Sequence, residues 1–188
     1  MEIGLRKGIV ELYDHDILWE ENAKETINLL KNIFQNIAVD IQHIGSTSIK
    51  NIKAKPIIDI IIGINDFTLV NSLIEILKQN QIVYCPIDGE DNYMLFIKRN
   101  IQNDMTTHHI HIVKYNGDDW INRTNFRDYL NTNIVEAKEY EKLKIELSNK
   151  YKNNRAEYTK NKLGYFYKIY KEAKEGENNN YKSNPNGA

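Results

Sequence analysis

Apolar positions recur along this chain with two different periods. Trp19, Ala23, Ile27, Leu30 and Phe34 fall three and four residues apart, which predicts a helix. Before it, Ile9–Leu12 reads as a short strand, and after it residues 38–44 alternate towards a Gly-Ser turn. Ile57–Ile64 is short, β-branched and apolar on both faces, which predicts a central strand covered on both sides. Asp66 then reads as the N-cap of a helix carrying Val70, Leu73, Ile74 and Leu77. Two more strands are expected over 92–98 and 107–114. From Asp118 onward the pattern is helical. Ala137, Tyr140, Leu143 and Leu147 mark one helix, and Ala156, Thr159, Leu163, Phe166, Tyr170 and Ala173 another. A strand-bearing first part followed by helices points to a single α+β domain over residues 1–174. Residues 175–188 are polar and low in complexity, and are expected to form a disordered tail.

Composition narrows the class of protein. The chain has 188 residues, 41% hydrophobic and 27% charged, with a formal net charge of −1. That balance does not suggest a general binder of nucleic acid or of membrane surfaces. One cysteine, Cys85, excludes an internal disulfide framework and a Cys-rich zinc site. No apolar run reaches the length of a membrane span, and the N-terminus lacks a signal peptide's apolar core, so a cytoplasmic location is expected.

Three places could carry chemistry. Asp59 is a carboxylate inside an apolar strand, on one face with Ile57, Ile61 and Gly63. Such an acid is costly unless hydrogen-bonded, paired or metal-bound, so it either caps nearby amides or meets a ligand. The turn Gly45-Ser46-Thr47-Ser48 offers amides and hydroxyls to a phosphate, and its glycine permits close approach. Lys55 follows where an anion could be neutralised, whereas Lys50 and Lys53 read as solvated. In THHIHIVKY, His109 and His111 share one strand face and His108 takes the other; imidazoles so spaced can ligate one metal or simply hydrogen-bond in a polar patch. Further candidates are Lys98 and Arg99 as phosphate contacts, and Arg127 and Lys160 towards a substrate. The plainer readings of the last two are an internal ion pair with Asp128 and an exposed lysine.

HIGSTSIKNIKAKPIIDIIIGI, THHIHIVKYNGDDW, FRDYL and YTKNK stand in the order seen in GrpB-like proteins, and VELYDHDILWEENAKE resembles that family's N-terminal region. The resemblance spans about residues 8–173. It implies the nucleotidyltransferase superfamily and its polymerase-beta-like fold, a mixed β-sheet with flanking helices and C-terminal helices. It also implies that Gly45 and Ser46 hold nucleotide phosphates and that Asp59 binds a divalent metal; Thr47, Lys55 and Arg99 are the further phosphate candidates beside them. Magnesium is the first expectation, with manganese or zinc as alternatives. The superfamily usually carries a second acid two residues on; here that position is Ile61, and His109 and His111 stand where a third acid is expected. The implied partners are a nucleotide and a small-molecule acceptor. The implied activity is transfer of a nucleotidyl group; non-catalytic nucleotide or phosphometabolite binding and metal-dependent hydrolysis by the His pair are the alternatives.

Overall fold

The computed structural model describes residues 2–87 and 92–183. Its elements in chain order are β1 (Leu5–Arg6), α1 (Ile17–Phe34), β2 (Ala38–Ile44), β3 (Ile58–Ile64), α2 (Ile74–Gln79), β4 (Ile82–Cys85), β5 (Tyr93–Asn100), β6 (Met105–Lys114), α3 (Asp118–Thr132), α4 (Ile134–Lys150) and α5 (Arg155–Ser183). Among the described residues they form one mixed sheet of order β2-β3-β6-β5-β4, with β1 beside the start of β6. The β3–β6 pair is parallel and the others are antiparallel.

β3 is an inner strand between β2 and β6, covered on both sides as its two apolar faces predict. Ile58, Ile60, Ile62 and Ile64 join Phe96, Ile110 and Ile112 in one core, closed by Trp19, Leu30 and Phe34 of α1. Helix α1 starts where Asp16 accepts the Leu18 N–H at 3.0 Å. On the other face Ile44, Ile61 and Val113 pack against Trp120 of α3. Gly63 admits that indole, since a Cβ there would sit 2.9 Å from Trp120 Cε3. A third cluster joins the loop residues Ile49 and Ile52 to Phe126, Leu130, Ala137, Tyr140 and Ile169, and so fixes the C-terminal helices beside the turn.

Four expectations change. Ile9–Leu12 is not a strand: Val10 donates its N–H to the Lys152 carbonyl at 2.9 Å and is buried with Leu147 and Tyr158, so this apolar run covers the C-terminal helices. The segment after Asp66 begins as a 3-10 helix over Phe67–Leu73 and becomes α-helical only in α2. Asp66 does cap it, accepting the Thr68 N–H at 2.9 Å. The buried stripe of α5 is carried by Tyr158 and Ile169, with Tyr165 and Phe166 half-buried, whereas Ala156, Thr159 and Leu163 are exposed. Finally, α5 runs to Ser183, through part of the stretch expected as a tail; residues 184–188 lie outside the described residues. Composition reports whether a segment can bury apolar surface, but a helix satisfies its own backbone groups internally.

Candidate functional site

The site begins where β2 ends. Ile44 pairs with Asp59 across the antiparallel β2–β3 ladder. Gly45 then takes φ 74 and ψ −171, a region open essentially to glycine alone. One 3-10 turn follows over Ser46–Ser48, in which Gly45 O accepts from Ser48 N at 3.2 Å and Ser48 Oγ at 2.7 Å. Those bonds and the Ile49 N–H to Ser46 O contact engage the later amides of the turn. Ser46 Oγ shares a hydrogen bond with Tyr140 OH at 3.0 Å, so the turn's first hydroxyl faces the C-terminal helices. The Thr47 side chain turns inward: it is buried, and its Oγ1 lies 2.9 Å from His43 Nε2, so only its backbone amide could meet a ligand. Burial pushes the His43 imidazole down to about 4, with Asp59 opposing and Arg127 adding to the shift, so the ring is neutral at pH 7.

Asp59 lies directly beneath this turn. A Cβ on Gly45 would meet Asp59 Oδ2 at 2.2 Å. The parallel register sets Asp59 opposite His109 and Ile61 opposite His111, which brings acid and imidazoles to one face. Asp59 Oδ1 accepts a hydrogen bond from His109 Nδ1 at 3.1 Å. His111 Nε2 approaches the same oxygen at 3.7 Å, a distance that makes the contact electrostatic and not a hydrogen bond. His111 Nδ1 is 2.6 Å from Tyr93 OH, which orients the ring. Burial alone would raise the Asp59 carboxyl, but His109 and His111 outweigh it and hold it well below the usual carboxylate range. Burial, with the nearby Arg123 charge, pushes His111 down to about 4 against the pull of Asp59. At neutral pH Asp59 is ionised and His111 is neutral. His108 points the other way, with Nε2 3.0 Å from Thr26 Oγ1.

Two cations, Lys55 from the loop and Lys162 from α5, lie within electrostatic reach of Asp59. Lys55 Nζ lies 5.0 Å from the ring centre of buried Tyr158, and Lys162 Nζ lies 5.8 Å from the same ring. Burial, then repulsion from Lys162 and Arg155, bring the Lys55 ammonium down to about 7, with Asp59 opposing. Burial works against the Lys162 charge, but Tyr140, Tyr158 and Asp59 keep that ammonium protonated. Lys144 is buried against Tyr140 at 4.6 Å and donates to the Lys53 carbonyl, which makes it structural. Of the lysines in YTKNK, Lys162 is the one on the side of Asp59, and the sequence reading did not single it out. Lys160, chosen from the same motif, is exposed; two residues on a helix differ by about 200° in direction. The available signal was the i, i+4 spacing that puts Lys162 between Tyr158 and Phe166 on the buried stripe.

Two other candidates stand apart from the ligand side. Arg99, near the end of β5, pairs with Asp104 of the following turn at 3.8 Å and is not brought to the Gly-Ser turn. Arg127 donates from Nη1 to Gln42 Oε1 at 2.7 Å and to the His43 carbonyl at 2.9 Å, and pairs with Asp128 through Nε at 2.7 Å. One helical turn later, Asn131 accepts from Lys50 N at 3.0 Å and donates to the Ser48 carbonyl at 2.9 Å. Helix α3 thus grips the Gly-Ser turn from both sides. Charge-assisted hydrogen bonds of this kind contribute about 2 kcal/mol. Arg127→Ala is therefore expected to lower Tm by roughly 4–8 °C, and Arg127→Lys should not restore it because an ammonium cannot reproduce the guanidinium fork. Thermal melts of both variants check this, and an unchanged Tm would show that the grip is dispensable.

The fold around this site, a mixed sheet with flanking helices, is shared with a distant solved structure. The structure of Cid1 in complex with its short product ApU matches with a TM-score of 0.50 at 11% identity, over 73% of this chain and 43% of that longer one, a likeness of fold alone. A family model described as GrpB protein matches residues 9–172. The glutamate-rich protein GrpB of Alkalihalophilus pseudofirmus is 37% identical over 174 residues, covering 90% of this chain and 99% of that protein. The conserved protein GrpB from Enterococcus faecalis matches in structure with a TM-score of 0.79 at 29% identity, over 87% of this chain and 96% of that one. The chain belongs to the GrpB family. Among the described residues, no helix is long and apolar enough to cross a membrane.

Proposed function

We propose that this protein binds a nucleoside triphosphate with its phosphates on the Gly45–Ser46 turn and transfers the nucleotidyl group to a small acceptor. The observation that carries this reading is a charge imbalance. Among the described residues, one carboxylate, Asp59, stands against two ammonium groups, Lys55 and Lys162, while the His43 and His111 imidazoles beside it are neutral. Half-buried positive charge in excess is stabilised by an anionic ligand. Among the described residues, the turn's internal hydrogen bonds use the N–H groups of Ser48 and Ile49, which leaves those of Ser46 and Thr47 for phosphate oxygens. Lys55 and Lys162 neutralise the phosphates, and a Lys55 ammonium near neutrality can hold or release a proton at Nζ.

A divalent ion belongs to this reading. Among the described residues, no cluster of three His, Cys, Asp or Glu is already arranged as an ion's ligand set. The donors are nevertheless close, with His109 Nδ1 and His111 Nε2 at 3.1 and 3.7 Å from Asp59 Oδ1. An ion there would replace the His109–Asp59 hydrogen bond, and Tyr93 would serve as the outer partner that orients His111. Two imidazoles and one carboxylate suit manganese or zinc better than magnesium, which prefers oxygen ligands. When bound, the ion supplies charge neutralisation at phosphate oxygens.

The test is a thermal shift and calorimetric titration of the parent and Asp59→Asn with ATP, GTP, CTP and UTP, each with manganese, zinc or magnesium. Binding of the folded state raises Tm with ligand concentration. A loss of about 100-fold in metal-dependent nucleotide affinity is expected for Asp59→Asn, equivalent to about 2.7 kcal/mol. Equal stabilisation of parent and variant would sink the assignment. A second reading, binding without turnover, is favoured by Ile61, which is fully buried against Trp120 where the superfamily carries an acid. Pyrophosphate release during incubation with acceptors separates the two: transfer requires it, and a binding protein returns the nucleotide intact.

A further inference from the structure

On the opposite face of the sheet from Asp59 lies a cavity of about 490 Å³. Its walls include Lys98, Arg99, Asn22, Gln81, Gln102 and His108. Alternation along β6 sets His108 on this side and His109 on the other. Among the described residues, no hydrogen bond or ion pair holds the Lys98 ammonium, which is partly withdrawn from water, with Glu25 the acid acting on it. Among the described residues, the Arg99 guanidinium pairs with Asp104 alone, at 3.8 Å and largely exposed, a contact of little energetic value. The acid in the cavity wall, Glu2, is already engaged by Asn103 Nδ2 at 2.6 Å. His108 is braced on both ring nitrogens, by Thr26 Oγ1 and Thr107 Oγ1 at 3.0 Å each, so this wall is rigid.

We infer that this cavity is a second anion site that takes a small phosphate monoester, with the phosphate between Lys98 and Arg99 and the polar body against Asn22, Gln81 and Gln102. Two cations, Lys98 with no ion pair among the described residues and Arg99 with a long, exposed one to Asp104, face a volume that suits a small ligand. The guanidinium fork matches phosphate oxygens in pairs, and the ammonium adds a point charge. Three side-chain amides supply donors and acceptors for hydroxyl groups. This site shares no residue with the Gly-Ser turn, so it stands or falls independently of the nucleotide reading.

The experiment is an amide-resolved NMR titration of the full chain with inorganic phosphate and with glycerol phosphate. Saturable shifts are expected at Lys98–Asn100, Thr107 and His108, with glycerol phosphate the tighter of the two. Shifts at Gly45–Thr47 would report the other site and are read separately by position. Lys98→Gln should weaken the response at least tenfold, and Arg99→Gln, at an exposed position, gives the same reading if Lys98→Gln fails to fold. Absence of saturation at these amides, or an undiminished response in Arg99→Gln, overturns the site.

Discussion

Gly45→Val is expected to abolish nucleotide binding and to cost about 3–5 kcal/mol of stability. Two independent penalties meet at this position. The backbone sits at φ 74 and ψ −171, where a β-branched residue is strained by about 2 kcal/mol. The added Cβ also has no room, since it would lie 2.2 Å from Asp59 Oδ2 and 2.8 Å from Asp59 Cβ. The carboxylate cannot retreat freely, because His109 holds its Oδ1 from the neighbouring strand. Relief therefore has to come from the turn itself, which moves Ser46 away from Tyr140 and disrupts the phosphate cradle. Urea unfolding and nucleotide titration of the same variant measure the two effects. A variant that keeps both its stability and its affinity would show that the turn and the acid do not depend on one another.

Acidification should destabilise the protein steeply below pH 6.5 in the absence of added metal. His43 and His111 are held at about 4, and His108 at about 3, in each case first by burial. In the unfolded chain a histidine takes up its proton near pH 6.5. Between about pH 6.5 and 4 the unfolded state therefore binds more protons than the folded state, and stability falls as pH falls. Each of the three histidines accounts for about 2 kcal/mol by pH 5 and about 3 kcal/mol by pH 4. Even half of that sum is comparable to the whole stability of an ordinary domain. Asp59 acts in the same direction at lower pH: its folded value is depressed, so its contribution is present above the unfolded value near 3.9 and is lost as pH falls through the folded one. Urea midpoints at pH 7, 6 and 5 read the slope directly. His108→Gln, which can still hydrogen-bond Thr26, should flatten it, and a midpoint unchanged from pH 7 to 5 would contradict buried neutral histidines.

The candidate site was partly legible before folding because strand periodicity assigns faces. A period of two sets Asp59 opposite in direction to Ile58 and Ile60, and sets His109 with His111 away from His108. The β-branched run around Asp59 similarly marked β3 as a strand covered on both faces, and α1 followed from Trp19, Ala23, Ile27, Leu30 and Phe34. Edge strand β4 was not legible, since Ile82 is buried while Val83 and Tyr84 are both exposed and no alternation results. The motif YTKNK marked the right helix but could not choose between Lys160 and Lys162, because the choice depends on which side of α5 meets Tyr140.

The sequence by itself determined that β3 is covered on both faces, the face on which acid and imidazoles lie, the apolar stripe of α1, the cap at Asp66 and the turn at Gly45. These are properties of local dihedrals and of side-chain periodicity, which neighbouring residues set. Only the tertiary structure decided that β3 and β6 run parallel with Asp59 beside His109, that Thr47 turns inward to His43, that Arg127 and Asn131 serve the turn and that Arg99 belongs to another surface. Each of those facts joins elements far apart in the chain, and contacts of that kind follow from how faces pack together, which no local pattern encodes.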